Sequence, residues 1–81
     1  MSSHESQHDL ARCVIAALEQ YFRDLDGEKP AAIYDMVLKS VEKPMLELVL
    51  NKSGSNQTLA AEMLGINRNT LRKKLSEHAL L

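Results

Sequence analysis

Cysteine, glycine, proline and aromatic residues are all scarce in this 81-residue chain, which has one Cys, three Gly, two Pro, two Tyr, one Phe and no Trp. The single thiol, Cys13, excludes an internal disulfide. Its place in a periodic apolar pattern predicts a small buried hydrophobe rather than a redox group. No long apolar run resembles a signal sequence or a membrane span, so the cytoplasm is the expected compartment and a membrane is not an expected partner. Ser/His/Asp sets, CxxC pairs and phosphate-cradling glycine loops are missing too, so neither an enzyme nor a cofactor is expected. Asn51-Lys52-Ser53 and Asn56-Gln57-Thr58 match the glycosylation pattern without the leader that would give it meaning. His4 and His8 have an i, i+4 spacing, with Glu5 and Asp9 nearby, but they fall in a polar tail where a metal centre is not expected.

What is present is a charge division. The formal net charge is -1, yet residues 1–51 carry five Lys/Arg against nine Asp/Glu, a balance of -4, and residues 52–81 carry five against two, a balance of +3. An acidic body with a basic tip keeps the body away from phosphate and aims the tip at it.

Hydrophobic periodicity predicts an all-α chain of four helices. Residues 1–8 are polar and aperiodic, and read as a disordered N-terminal tail. From Asp9, a candidate cap, the apolar positions Leu10, Cys13, Val14, Ala17, Leu18, Tyr21, Phe22 and Leu25 follow helical spacing to Gly27. Pro30 suits the first turn of a second helix, continued by Ile33, Tyr34, Val37, Leu38, Val41, Met45, Leu48 and Val49 to about Lys52. Pro44 predicts a kink or a break within it, because proline removes a backbone donor and crowds the carbonyl four residues back. Two stripes of this size exceed what a small tip can cover. Pairing these helices (residues 9–53) with a second copy, as an intertwined homodimer with a four-helix core, resolves the excess within one compact domain.

Residues 56–81 form the tip, and its run NQTLAAEMLGINRNTLRKKL (Asn56 to Leu75) has the form of a helix-turn-helix. Ala61, Gly65 and Leu71 stand in the relation Ala-x3-Gly-x5-Leu: a small residue where helices cross, a glycine for positive φ, and a leucine anchoring the second helix. Asn56 and Asn67 are expected caps, for helices from about Gln57 to Leu64 and from about Arg68 to His78. At about 100° per residue, Leu71 and Leu75 turn inward toward Leu64 and Ile66, while Arg68, Asn69, Arg72, Lys73 and Ser76 turn outward. Arginine pairs bidentately with guanine and asparagine with adenine, which makes Arg68, Asn69 and Arg72 candidates for base edges in a major groove. Asn56, Thr58, Thr70, Lys73 and Lys74 are better suited to phosphate. The tip has no aromatic residue on which an unpaired base could stack, so duplex DNA is favoured over RNA. His78 reads as a helix-end residue.

The same residues carry a family likeness. GSNQTLAAEMLGINRNTLRKKL, with LEQYFRDLDG and YDMVLKSVEKPMLELVL before it, closely resembles the Fis family (factor for inversion stimulation) of bacterial nucleoid-associated proteins over roughly residues 10–81. The resemblance implies a homodimer that bends degenerate double-stranded DNA sites, modulating transcription and chromosome architecture in the nucleoid. The paired recognition helices of that family sit closer than one turn of straight B-DNA. The duplex must therefore curve, at roughly 1 to 6 kcal/mol. Matched residue by residue, Asn56, Thr58, Asn67, Arg68, Thr70, Arg72, Lys73 and Lys74 face DNA, with Arg68 and Arg72 foremost. The family usually has Gly where Asn69 stands, which lowers Asn69 and raises Asn67 from cap to contact.

Three departures bear on partners. Only about eight residues precede the first helix where relatives have a longer arm that touches DNA invertases, which argues against an invertase partner. Gly54 replaces a basic residue in a turn implicated in contacting RNA polymerase, which leaves that partner open. Ser76 and Glu77 follow Lys74 where relatives continue with lysines. The INRNTLRKKL block is shared with the DNA-binding domains of NtrC-type activators, an alternative that Met1 and the two complete preceding helices disfavour. A further alternative is a helical dimerisation or adaptor module whose basic tip meets an acidic protein partner.

Overall fold

The computed structural model describes residues 3–81, with side chains from Gln7 onward. It is all-helical: α1 (Ser3–Leu25), α2 (Ile33–Lys52), α3 (Gln57–Leu64) and α4 (Arg68–Glu77), with no strand among the described residues. The chain divides into two compact units, Met1–Val37 and Leu38–Leu81. The all-α, four-helix expectation holds.

In the first unit, α1 begins at Ser3, six residues before the expected start at Asp9. Nothing between them is Gly or Pro, and Asp9 does not cap: it pairs with Arg12 three residues on, as helix neighbours do. The spacing of His4 and His8 involves a side chain outside the described residues. Leu25 ends α1; Asp26 (φ 48°) and Gly27 (φ 92°) turn left-handed, and the Glu28 N–H closes the turn on the Leu25 carbonyl at 3.1 Å.

α2 starts three residues later than Pro30 suggests. The Tyr21 hydroxyl accepts the Ala31 N–H at 3.3 Å, and Ala32 has φ 54°, so neither residue is helical. The Met36 N–H then bonds the Ala32 carbonyl at 3.0 Å and the helix proceeds. Leu10, Ile15 and Phe22 are more than half exposed, and Cys13 is exposed rather than buried. Phe22 meets Tyr21 edge to face, ring centres 5.7 Å apart.

The second unit holds every fully buried apolar side chain among the described residues: Leu46, Ala60, Ala61, Leu71 and Leu75. Val49, Leu50, Leu64, Ile66 and Leu80 pack around them. α2 is continuous across Pro44, so of the kink or break expected there a break is absent. A proline in a helix interior costs about 3 kcal/mol, and burying one leucine such as Leu46 contributes about 1.5 to 3 kcal/mol, so packing of the same helix offsets the loss. The opposite side of α2 stays open: Leu38, Val41, Met45 and Leu48, spaced by three, four and three residues, are all exposed. Beyond Lys52, the N–H of Gly54 bonds the Asn51 carbonyl (3.1 Å) and that of Ser55 the Leu50 carbonyl (2.8 Å), both residues at φ 65°. Ser53 is buried there, its hydroxyl donating to the Leu50 carbonyl at 2.9 Å.

Candidate nucleic-acid interface

Local chemistry fixes the geometry of α3, the turn and α4. The Asn56 side-chain oxygen accepts the Leu59 N–H at 3.1 Å, and that of Asn67 accepts the Asn69 N–H at 2.7 Å. Each asparagine has extended backbone and satisfies a helix-end donor that would otherwise lack a partner. Between the helices, Gly65 adopts φ 74°, its N–H bonding the Glu62 carbonyl (3.1 Å) while Ile66 N–H reaches the Ala61 carbonyl (3.0 Å). This double bond pattern is a Schellman cap. A methyl at Gly65 would meet nothing within 4 Å, so the requirement for glycine is backbone angle and not space. The same pattern ends α4, with Ala79 at φ 57° in the left-handed position, its N–H on Ser76 (3.1 Å) and that of Leu80 on Leu75 (2.7 Å).

α4 has two sides of opposite character. Leu71 and Leu75 are fully buried beside Ala60 and Ala61 of α3, which lets the two short helices approach closely. Arg68, Asn69, Thr70, Arg72, Lys73 and Ser76 are exposed, as are Asn56, Thr58 and Asn67 at and near the two helix starts. Each of those starts presents backbone N–H groups and a positive helix end. Arg68 and Arg72, at i, i+4, are thus neighbours on the exposed side of α4, among polar side chains that can pair with bases or phosphates.

Lys74 is different. Its ammonium lies 2.9 Å from Oε2 of Glu42 on α2, and only about a third of the side chain (34%) is exposed. The other oxygen of Glu42 lies 2.9 Å from His78 Nε2, a ring that is nearly enclosed. The Lys74 bond first, and the His78 bond after it, hold the Glu42 carboxyl below its ordinary range against the opposing effect of burial. Lys74 is raised in turn, chiefly by its bond to Glu42, with Glu77 adding to the effect. The role of Glu42 escaped sequence reading, because its partners lie 32 and 36 residues away and no local spacing joins them.

Comparison with known proteins bears on this surface. Residues 37–78 match the family model described as bacterial regulatory protein, Fis family. The chain is 55% identical over 76 residues to a Fis-like DNA-binding protein of Ralstonia nicotianae, covering 94% of this chain and 99% of the relative. It is 56% identical over 73 residues to a Fis-like DNA-binding protein of Neisseria meningitidis, covering 90% and 92% of the two chains. This chain belongs to the Fis family. It is also 50% identical over 64 residues to the DNA-binding protein Fis of Glaesserella parasuis, covering 79% of this chain and 65% of that one. The matched Fis span contains the whole surface built by α3, the turn and α4, together with Glu42. Within this Fis chain, Gly54 occupies a left-handed position, a backbone angle that a basic side chain would adopt only under strain.

Proposed function

We propose that this Fis-family chain is a non-enzymatic regulator that binds double-stranded DNA as a homodimer, bends it, and thereby modulates transcription and chromosome architecture in the bacterial cytoplasm. The observation that carries the reading is the exposed face of α4, with Arg68 and Arg72 one helical turn apart, held outward by the burial of Leu71 and Leu75. On this reading Arg68 and Arg72 reach base edges in the major groove, with Asn69 a lesser contributor. Asn56, Thr58, Asn67, Thr70 and Lys73 bond phosphates and fix the register.

Dimerisation is supported by what a single copy leaves uncovered. Leu38, Val41, Met45 and Leu48 follow the three-four spacing by which one helix packs along another, and Leu10, Ile15 and Phe22 add exposed apolar surface on α1. A second copy covers such stripes and supplies a second α4, so that two tips engage one duplex. Bending follows if the two tips are closer than a turn of straight DNA. No described helix is long and apolar enough to cross a membrane.

A gel-shift and circular-permutation assay on random genomic fragments, combined with sedimentation, tests the whole reading. Binding to many fragments with position-dependent mobility, by a species of twice the chain mass, is the expected result. A folded monomer at micromolar concentration, or duplex DNA that fails to compete with an acidic protein for the tip, overturns it.

A further inference from the structure

One cation of α4 is already matched by a carboxylate of its own chain. Lys74 follows Leu71 by three residues and precedes His78 by four, so it belongs to the flank of the buried stripe and not to the outward face of Arg68, Arg72 and Lys73. Across from that flank, Glu42 stands one turn before the fully buried Leu46 on the packed side of α2. Its carboxylate is held at both oxygens, Lys74 on one and His78 on the other, each at 2.9 Å. Drawing Lys74 out to a phosphate would leave a partly buried carboxylate with His78 alone, and removing one partner of such a pair is unfavourable, by an amount that the partial exposure of Lys74 reduces. The depressed Glu42 and raised Lys74 are consistent with that preference. Glu77, beyond the end of the cation run, adds a second negative charge near Lys74.

We propose that Glu42 is a positioning residue that withholds Lys74 from DNA phosphate, so that the α4 charges met by the duplex are Arg68, Arg72 and Lys73. The proposal rests on the DNA-binding reading and deepens it. Lys74 clasps the end of α4 to α2, and Glu42 limits the cationic strength of the tip. The physical signature is the number of counterions released on binding, which changes log affinity against log salt by about -0.9 per phosphate contact.

Fluorescence anisotropy of a labelled genomic duplex, titrated with the full chain across a potassium chloride series, measures that slope for wild type, Lys74→Met, Glu42→Gln and the double variant. Lys74→Met should keep the wild-type slope. Glu42→Gln, which keeps the shape but loses the charge, should steepen it by about 1.8, one contact from each copy of the dimer, as Lys74 becomes free. The double variant should return to wild type, a reversal that a merely structural role for Glu42 does not produce. A slope shallower by about 1.8 in Lys74→Met, or no steepening in a folded Glu42→Gln, overturns the proposal while leaving DNA binding intact. Should Glu42→Gln fail to fold by circular dichroism, the Lys74→Met slope decides alone. Absence of salt-sensitive binding by wild type removes the DNA-binding reading itself, and is seen before any variant is compared.

Discussion

The ring of His78 is tied to the carboxylate of Glu42, Nε2 to Oε1 at 2.9 Å, although 36 residues separate them. The bond fastens the last turn of α4 to the middle of α2, and the second oxygen of the same carboxylate takes Lys74. Glu42→Ala removes both bonds and should destabilise the chain by about 1 to 2 kcal/mol at neutral pH, the partial exposure of Lys74 reducing the effect. Folding lowers the Glu42 pKa. Its contribution is therefore complete above the unfolded value of about 4.3, and is lost as pH falls through the lower folded value. Folding raises Lys74, whose contribution is complete below about 10.4 and lost as pH rises through the higher folded value. Urea titrations at fixed chain concentration should show the wild-type to Glu42→Ala gap at pH 7 narrowing as pH drops below about 4. A gap that stays constant would assign the loss to packing alone.

Arg72 is exposed on the outward face of α4 between the buried Leu71 and the exposed Lys73. Arg72→Ala should weaken DNA binding about ten- to a hundred-fold and leave thermal stability and sedimentation unchanged. Unchanged affinity in a gel shift would mean that a different face of the helix meets the duplex.

Asn67 is expected to do two jobs that one substitution can separate. Aspartate also caps a helix and suits its positive end, so Asn67→Asp should keep stability within about 0.5 kcal/mol of wild type. The added negative charge should lower DNA affinity at least several-fold. Asn67→Ala should instead cost about 1 kcal/mol of stability through loss of the 2.7 Å bond to the Asn69 N–H. Parallel melting and anisotropy curves distinguish the two.

The Schellman caps that end α3 and α4 differ in suitability. Gly65 sits at φ 74° and Ala79 at φ 57°, both in the left-handed region, but only the first is a residue that adopts it freely. Ala79→Gly should stabilise the chain by about 0.5 to 1 kcal/mol, and Gly65→Ala should destabilise it by about 1 kcal/mol. Chemical denaturation with matched slopes would show both. A loss of stability in Ala79→Gly would mean that chain entropy outweighs the relief of strain.

The limits of α3 and α4 were legible in the residues because they are set locally. Asn56, Gly65 and Asn67 each act within three residues of themselves, and the alternation of Leu71 and Leu75 with Arg68, Arg72 and Lys73 needs only the helical period. The starts of α1 and α2 were not legible. One depended on the absence of any stop signal before Asp9, and the other on a bond between Tyr21 and Ala31, ten residues apart. The helix runs on through Pro44 without a break for a related reason, since tertiary burial of Leu46 offsets a local penalty. The pairing of Lys74 with Glu42 lay furthest out of reach, because composition at Lys74 looks the same as at Lys73 and only packing tells them apart.

Among the described residues, the apolar side chains that are wholly shielded from water, Leu46, Ala60, Ala61, Leu71 and Leu75, all belong to the unit that begins at Leu38. Under the two-fold pairing proposed above, a lineage can rewrite Leu10, Ile15 or Phe22 and change which copies assort together without disturbing the nucleus that shapes the reading head. Duplicated genes in one cell thus have a simple route to becoming insulated from each other while still recognising similar stretches of chromosome.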